Sequence, residues 1–211
     1  MSTIAIIGGT GFTGTNLARE AVSRGHAVTS FSRNAPDEPV DGVDYQHGTS
    51  AEAVRVVPGT DAVIATLSPR GDSAGTLQAT YQALAEAAIQ AGSRLIVIGG
   101  YSSLRPAPGE PRGAEGDLPE QIAAEAREME NIRGWLAEQA PADLDWTFVS
   151  PAATYGAWAP GVRTGRYRVG GEVALVDADG NSAISGADFA TAVLDEIDTP
   201  QHRRAHVSFA A

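Results

Sequence analysis

Three groups of residues in this 211-residue chain have types and spacings that suit chemistry. The first is Gly8-Gly9-Thr10-Gly11-Phe12-Thr13-Gly14, directly after the aliphatic run Ile4-Ala5-Ile6-Ile7. Its glycines read as Gly9-x-Gly11-x-x-Gly14 and equally as Gly8-x-x-Gly11-x-x-Gly14. A strand, a glycine turn and a helix start in this order let a pyrophosphate approach the backbone. The helix N-terminus then meets the phosphate charge with free N–H groups. Gly8, Thr10, Gly11, Phe12, Thr13 and Gly14 are therefore the expected phosphate-binding residues. The plain alternative is a βα turn that binds nothing.

The second group is Ser32-Arg33, at the end of the next apolar run. A dinucleotide site for NAD places an acid there for the ribose 2′-hydroxyl, whereas NADP needs a positive group for the 2′-phosphate. No acid follows until Asp37, and arginine can pair a phosphate with two bonds. NADP(H) is therefore favoured over NAD(H), with a solvated loop arginine as the competing view. The third group lies at later strand ends: Tyr101 and Ser103 as candidate catalytic hydroxyls, and Tyr155, Trp158 and Arg163 as substrate-pocket residues. Two of these have a second reading, Ser103 as a capping hydroxyl and Trp158 as cover for a small core.

These residues need a scaffold, and hydrophobic periodicity supplies one. A helix is expected over 13–24, stopped by Gly25, with strands over 27–32 and 43–47 and a short helix over 51–56. A buried strand over 61–67 leads to the loop Ser68-Pro69-Arg70-Gly71. A helix over 75–91 ends at Gly92, and a strand over 94–99 delivers Gly100 and Tyr101. Residues 104–117 are rich in Pro, Gly and charge, and read either as a lid or as a surface excursion. A helix opens at Pro119 with apolar positions Ile122, Ala126, Met129, Ile132 and Leu136. A strand over 145–149 delivers Pro151, Ala152 and Ala153. A strand over 172–176, a turn at Asp179-Gly180, a helix over 186–198 and a strand over 205–209 follow. Alternating strands and helices predict an α/β, Rossmann-like, doubly wound and mainly parallel sheet flanked by helices. The whole, 1–211, forms one NAD(P)-binding domain, with a small substrate-side lobe inserted at about 154–185.

Composition narrows the function further. The absence of cysteine removes disulfides, thiolate nucleophiles and Cys-type metal sites. The four histidines, at 26, 47, 202 and 206, suggest no metal cluster. A formal net charge of −11 disfavours nucleic acid and anionic membranes as partners. With no membrane-length apolar stretch and a strand at the very start, the chain reads as cytoplasmic. All 15 basic residues are arginine.

Nearly the whole chain resembles atypical short-chain dehydrogenase/reductases, in particular single-domain NAD(P)H-binding proteins of the biliverdin-IXβ reductase-like and NADH:flavin reductase-like kinds. Five segments carry the resemblance: Ile6–Gly14, Arg94–Gly100, Asp143–Ala153, Pro160–Arg168 and Ser182–Ala190. The resemblance implies a nicotinamide cofactor across the strand ends and, in some members, flavin or another planar acceptor. Where the family often has Ala-Gly-Ser-Leu after Gly100, this chain has Tyr101-Ser102-Ser103-Leu104.

Ordinary short-chain dehydrogenases use a helical Tyr-x-x-x-Lys pair, which a chain without lysine cannot supply. Tyr101 has a basic residue four later, Arg105, but arginine stays charged and can only bias the phenol electrostatically. Hydride transfer to a planar acceptor makes fewer demands, because orientation of two rings supplies most of the rate. On this view Leu67, Gly100, Pro151, Ala152 and Ala153 place the nicotinamide. Two alternatives stand beside it. One is an NADP(H)-sensing regulatory protein of the NmrA-like type, and the other is a specialised pathway reductase or isomerase using Tyr101.

Overall fold

The computed structural model describes residues 1–70 and 73–211, so Gly71 of the loop after the fourth strand lies outside the described residues. Eight strands form one sheet: β1 (Thr3–Ile7), β2 (Ala27–Ser32), β3 (Val43–His47), β4 (Ala62–Ala65), β5 (Arg94–Ile98), β6 (Trp146–Ser150), β7 (Arg168–Gly170) and β8 (Ala205–Ala210). Their spatial order is β3-β2-β1-β4-β5-β6-β8-β7, parallel throughout except for β7 against β8. Chain direction across the sheet reverses between β1 and β4, and a crevice at the carboxyl edge of such a switch is where doubly wound sheets take ligands.

The helices are α1 (Phe12–Ser23), α2 (Leu77–Ala91), α3 (Glu120–Glu138) and α4 (Gly186–Asp198). Period-two alternation decides which face each strand residue serves. Ile4, Ile6, Ile64 and Ile96 point toward α1 and α4, whereas Ala5, Ile7, Val63, Leu95 and Val97 point toward α2 and α3. With both faces covered, β4 and β5 are buried along their whole length, which explains the apolar runs 62–65 and 95–98. Each fully buried Ile or Leu contributes about 1.5–3 kcal/mol, so the two apolar layers carry most of the favourable free energy.

Polar residues fix α4 to this frame. The buried Arg94 guanidinium donates to Glu196 Oε1, Thr147 Oγ1 and the His202 carbonyl, all at 2.7 Å. Arg24, the C-cap of α1, reaches Glu20, Asp195 and Asp198. At the other end, Asp188 accepts from the N–H groups of Thr164 and Gly165 and from the Ser185 hydroxyl, clamping the 160–166 loop to the start of α4.

Two expectations change. No strand forms over 172–176, where a single bridge joins Val173 to Arg105. The edge strand lies earlier, at β7, where a Cβ on Gly170 would stand 2.8 Å from Ser208 Oγ of β8. The expected 154–185 insertion thus contributes the edge strand of the main sheet. The 104–117 segment is an exposed excursion pinned at buried Leu104, Arg112 and Ala114, with Gly113 N–H donating to the Leu104 carbonyl, while residues 106–111 and 115–117 stay exposed.

Candidate functional site

The glycine turn connects β1 to α1 at the switch point. Gly8 has φ +88°, and its N–H donates to the Phe31 carbonyl at 2.8 Å. Thr66 Oγ1, just past β4, donates to the carbonyls of Ile7 and Gly8. A Cβ on Gly8 would stand 2.5 Å from that hydroxyl oxygen, one on Gly9 would overlap Ser30, and one on Gly14 would overlap the Gly8 backbone. Packing therefore requires three of the four glycines.

Gly11 is different. A Cβ there would meet nothing nearer than 3.5 Å, and its φ of −75° is open to any residue. It is the N-cap of α1 with no side-chain cap, the first turn carries no acid, and it stands where three cavities meet. An uncapped helix start with positive dipole character and no side chain in front of it is a cradle for an anionic group.

The first cavity, about 480 Å³, runs over the ends of β1 and β2 and is lined by Gly8, Thr10, Ser32, Arg33 and Thr49. Ser32 Oγ is buried with no hydrogen-bond partner among the described residues. Arg33 is exposed at the rim. A hydroxyl without a partner, set beside a guanidinium, fits a ribose phosphate, so the residues present suit a dinucleotide on this side.

The second cavity, about 590 Å³, lies over β4, β5 and β6. Phe12, Thr13, Leu67, Gly100, Tyr101, Pro151, Ala152, Ala153, Tyr155 and Trp158 all line it, so the structure gathers these expected residues into one cleft. Tyr155 is held in place: its hydroxyl lies 2.9 Å from Thr13 Oγ1, and its ring packs on Phe12 and Phe189. Burial pushes this phenol well above its ordinary pKa, against a smaller opposite effect of Thr13. Tyr155 is thus a brace between α1, α4 and the cleft, poorly suited to giving up a proton. Tyr101 is half-buried, and its hydroxyl has no hydrogen-bond partner among the described residues.

Two expected residues are not brought to the cleft. Ser103 ends the short 3₁₀ turn Tyr101–Ser103 and faces inward at 1 % exposure, its carbonyl accepting from Arg112 at 2.7 Å. Its neighbour Ser102 lines the cavity instead. Arg163 turns away to pair with Glu20 at 3.2 Å. Arg105 does not approach Tyr101; it donates to the Glu110 carbonyl and pairs with Glu172. Within 104–117, no residue lines either cavity, and Ala114 and Glu115 border a groove on α2 and α3.

Sequence reasoning missed the far wall. Ile122, Glu125, Ala126 and Met129 of α3 all line the second cavity, and Arg70 pairs with Glu125 there at 2.7 Å. Ile122 was expected on the core stripe, but it lies in the first turn, above the sheet edge, and is 42 % exposed. The helix's opening directly after the proposed lid was the one available signal.

Beneath the cleft lies a buried polar chain. Ser150 Oγ donates to the Gly100 carbonyl at 2.8 Å and lies 2.9 Å from His206 Nε2. His206 Nδ1 faces Arg112, whose other nitrogen donates to Glu172 at 2.6 Å. Burial, reinforced by Arg112 and Arg133, pulls the His206 pKa down to about 3, so the ring is neutral. Since Ser150 spends its proton on Gly100, His206 carries its own on Nε2 and accepts from Arg112 at Nδ1. The chain holds the β5 end, and with it Tyr101, in one position.

Comparison with known proteins agrees with this geometry. Residues 8–200 match the family model described as NAD(P)H-binding. The Bacillus subtilis uncharacterized protein YwnB is 32 % identical over 206 residues, covering 95 % of this chain and 94 % of YwnB. A Burkholderia pseudomallei structure, provisionally named an exported protein, is 36 % identical with TM-score 0.86, covering 100 % of each chain. A Streptococcus pneumoniae structure with the provisional name NADH-flavin reductase is 28 % identical with TM-score 0.84, covering 100 % of this chain and 99 % of that one. The chain belongs to the NAD(P)H-binding family.

Proposed function

We propose that this chain is an NAD(P)H-dependent reductase that passes hydride to a flavin, quinone or other planar acceptor, and that it prefers NADP(H) to NAD(H). The observation that carries this reading is Gly11, a glycine that packing does not require, standing where three cavities meet at an uncapped helix start. When bound, a reduced nicotinamide supplies the hydride. Phe12 and Thr13 hold the pyrophosphate with backbone N–H groups, and Gly11, whose own N–H donates to the Gly8 carbonyl, leaves room for it to approach. Ser32 and Arg33 take the 2′-phosphate, the serine with its unpaired hydroxyl and the arginine with its fork. Leu67, Gly100 and Pro151–Ala153 set the ring's height over the sheet edge. Tyr101 orients the acceptor by hydrogen bonding. Without lysine the chain has no Tyr–Lys acid, which suits an acceptor whose reduced form can wait for solvent to protonate it.

The test is to measure NADPH and NADH binding, then NADPH consumption with FMN, riboflavin and small quinones. Consumption with at least one acceptor is expected. Tight binding with no turnover would favour a cofactor sensor, a reading that the braced Tyr155 also suits. Arg33→Ala should weaken NADPH about tenfold or more, the worth of a ~1.4 kcal/mol contact, and leave NADH nearly unchanged. Equal loss of both would refute the NADP preference.

A further inference from the structure

The lining of the second cavity restricts the charge of what it can hold. Among its lining residues Arg70 and Glu125 are the charged ones, and they are engaged with each other. Arg70 Nε donates to Glu125 Oε2 at 2.7 Å, and Glu125 Oε1 accepts from Ser68 Oγ at 2.9 Å. The pair adds no net charge to a cleft in a chain whose formal charge is −11. The Arg70 side chain is 75 % exposed and its Nε is committed to Glu125, so a phosphate gains there only a solvent-screened contact that stands beside a carboxylate.

The rim has the opposite character. Trp158 and Ile122 are 74 % and 42 % exposed, and they come from separate elements, the segment after β6 and the first turn of α3. The indole sits over Gly156, where a Cβ would stand 2.9 Å from its Nε1. That glycine, at φ +144°, lets the ring lie flat on the backbone. Large apolar side chains held in water beside an apolar cleft mark a surface that a ligand covers. An aromatic face with an aliphatic partner suits a flat ring.

We propose that Trp158 and Ile122 stack an uncharged planar ring system, and that a lining whose one arginine is offset by Glu125 makes this cavity favour acceptors without a phosphate or carboxylate. The inference rests on the reductase reading above and adds to it the charge of the acceptor. Arg70 and Glu125 act here as specificity residues.

Riboflavin and FMN share one ring system and differ by a phosphate, so they isolate the charge. Each is equilibrated by dialysis against the whole protein, alone and with saturating NADP⁺, which permits no turnover. With NADP⁺ filling the phosphate cradle at Gly11–Thr13, riboflavin is expected to bind at least tenfold more tightly than FMN. Trp158→Ala should weaken riboflavin at least fivefold and Trp158→Phe less than threefold, with unchanged thermal melting because the side chain lies outside the core. Glu125→Gln should close most of the gap between the two flavins. FMN bound as tightly as riboflavin in the presence of NADP⁺, riboflavin binding indifferent to Trp158→Ala, or no flavin binding in either condition would each overturn the proposal. NADPH binding is measured separately. Its loss with riboflavin selectivity retained would sink the reductase reading alone; its retention with no flavin selectivity would sink this inference alone.

Discussion

A side chain on Gly14 would run into the backbone of Gly8 and Gly9, whereas one on Gly11 would enter open space at the mouth of the cleft. The two positions should therefore fail differently. Gly14→Ala overpacks the turn and should cost about 1–3 kcal/mol of stability, read as a drop in the urea midpoint. Gly11→Ser should do the reverse. The position has the extended φ and ψ of an N-cap, −75° and 171°, and serine is a better cap than glycine by a few tenths of a kcal/mol. Its hydroxyl would take the N–H groups that a pyrophosphate needs. We expect unchanged or slightly raised stability and at least tenfold weaker NADPH binding, by melting and titration on one preparation. A variant that binds NADPH as well as the parent would remove the main support for the cofactor site.

The elements that hold this turn were largely legible because each carries its own periodic signal. The α4 range 186–198 follows from helical apolar spacing after Gly186, and the central parallel strands from short continuous apolar runs, which survive into the fold because both sheet faces are covered. What was not legible depends on distant neighbours. The β7 strand is defined by its partner β8, and nothing within Tyr167-Arg168-Val169-Gly170 announces an antiparallel edge. Ser103 and Ser102 are equivalent in sequence, and only the sense of the 3₁₀ turn sends one inward. The Arg112–His206–Ser150 chain joins residues up to 94 positions apart. That chain makes a pH prediction. His206 titrates near 6.5 when unfolded and at about 3 when folded, so the unfolded state binds the extra proton between these values. Stability is then fully present above about pH 6.5 and lost as pH falls toward 3, by up to about 1.4 kcal/mol per pH unit from this one group. Glu172, Asp188 and Glu196 all have lowered pKa values, so their stabilisation is complete above the ordinary carboxylate range and is lost only as pH falls below it. The window from pH 6.5 to 5 therefore isolates the histidines. His206→Gln, which keeps a donor and an acceptor, should flatten urea stability across that window; an unchanged slope would place the acid sensitivity elsewhere.

On the scale of the whole molecule, the short-range and long-range electrostatics of the cofactor side oppose each other. Arg33 is a local positive group at the rim of the first cavity, on a chain of formal net charge −11. A polyanionic nucleotide approaching from a distance meets the net field first and the arginine last. The screening length is about 30 Å at 0.01 M salt, comparable to the molecule, and about 8 Å at 0.15 M, closer to the reach of one side chain. Added salt in this range therefore removes the repulsion well before it removes the contact. The association rate of NADPH should rise severalfold between the two concentrations, opposite to steered association between unlike charges. In Arg33→Ala the rise should persist, since it comes from the net charge, while the complex dissociates faster at every salt. Stopped-flow mixing at several ionic strengths gives both rates. An association rate that falls with salt in the parent chain would mean that the cleft's own field is positive and outweighs the rest of the molecule.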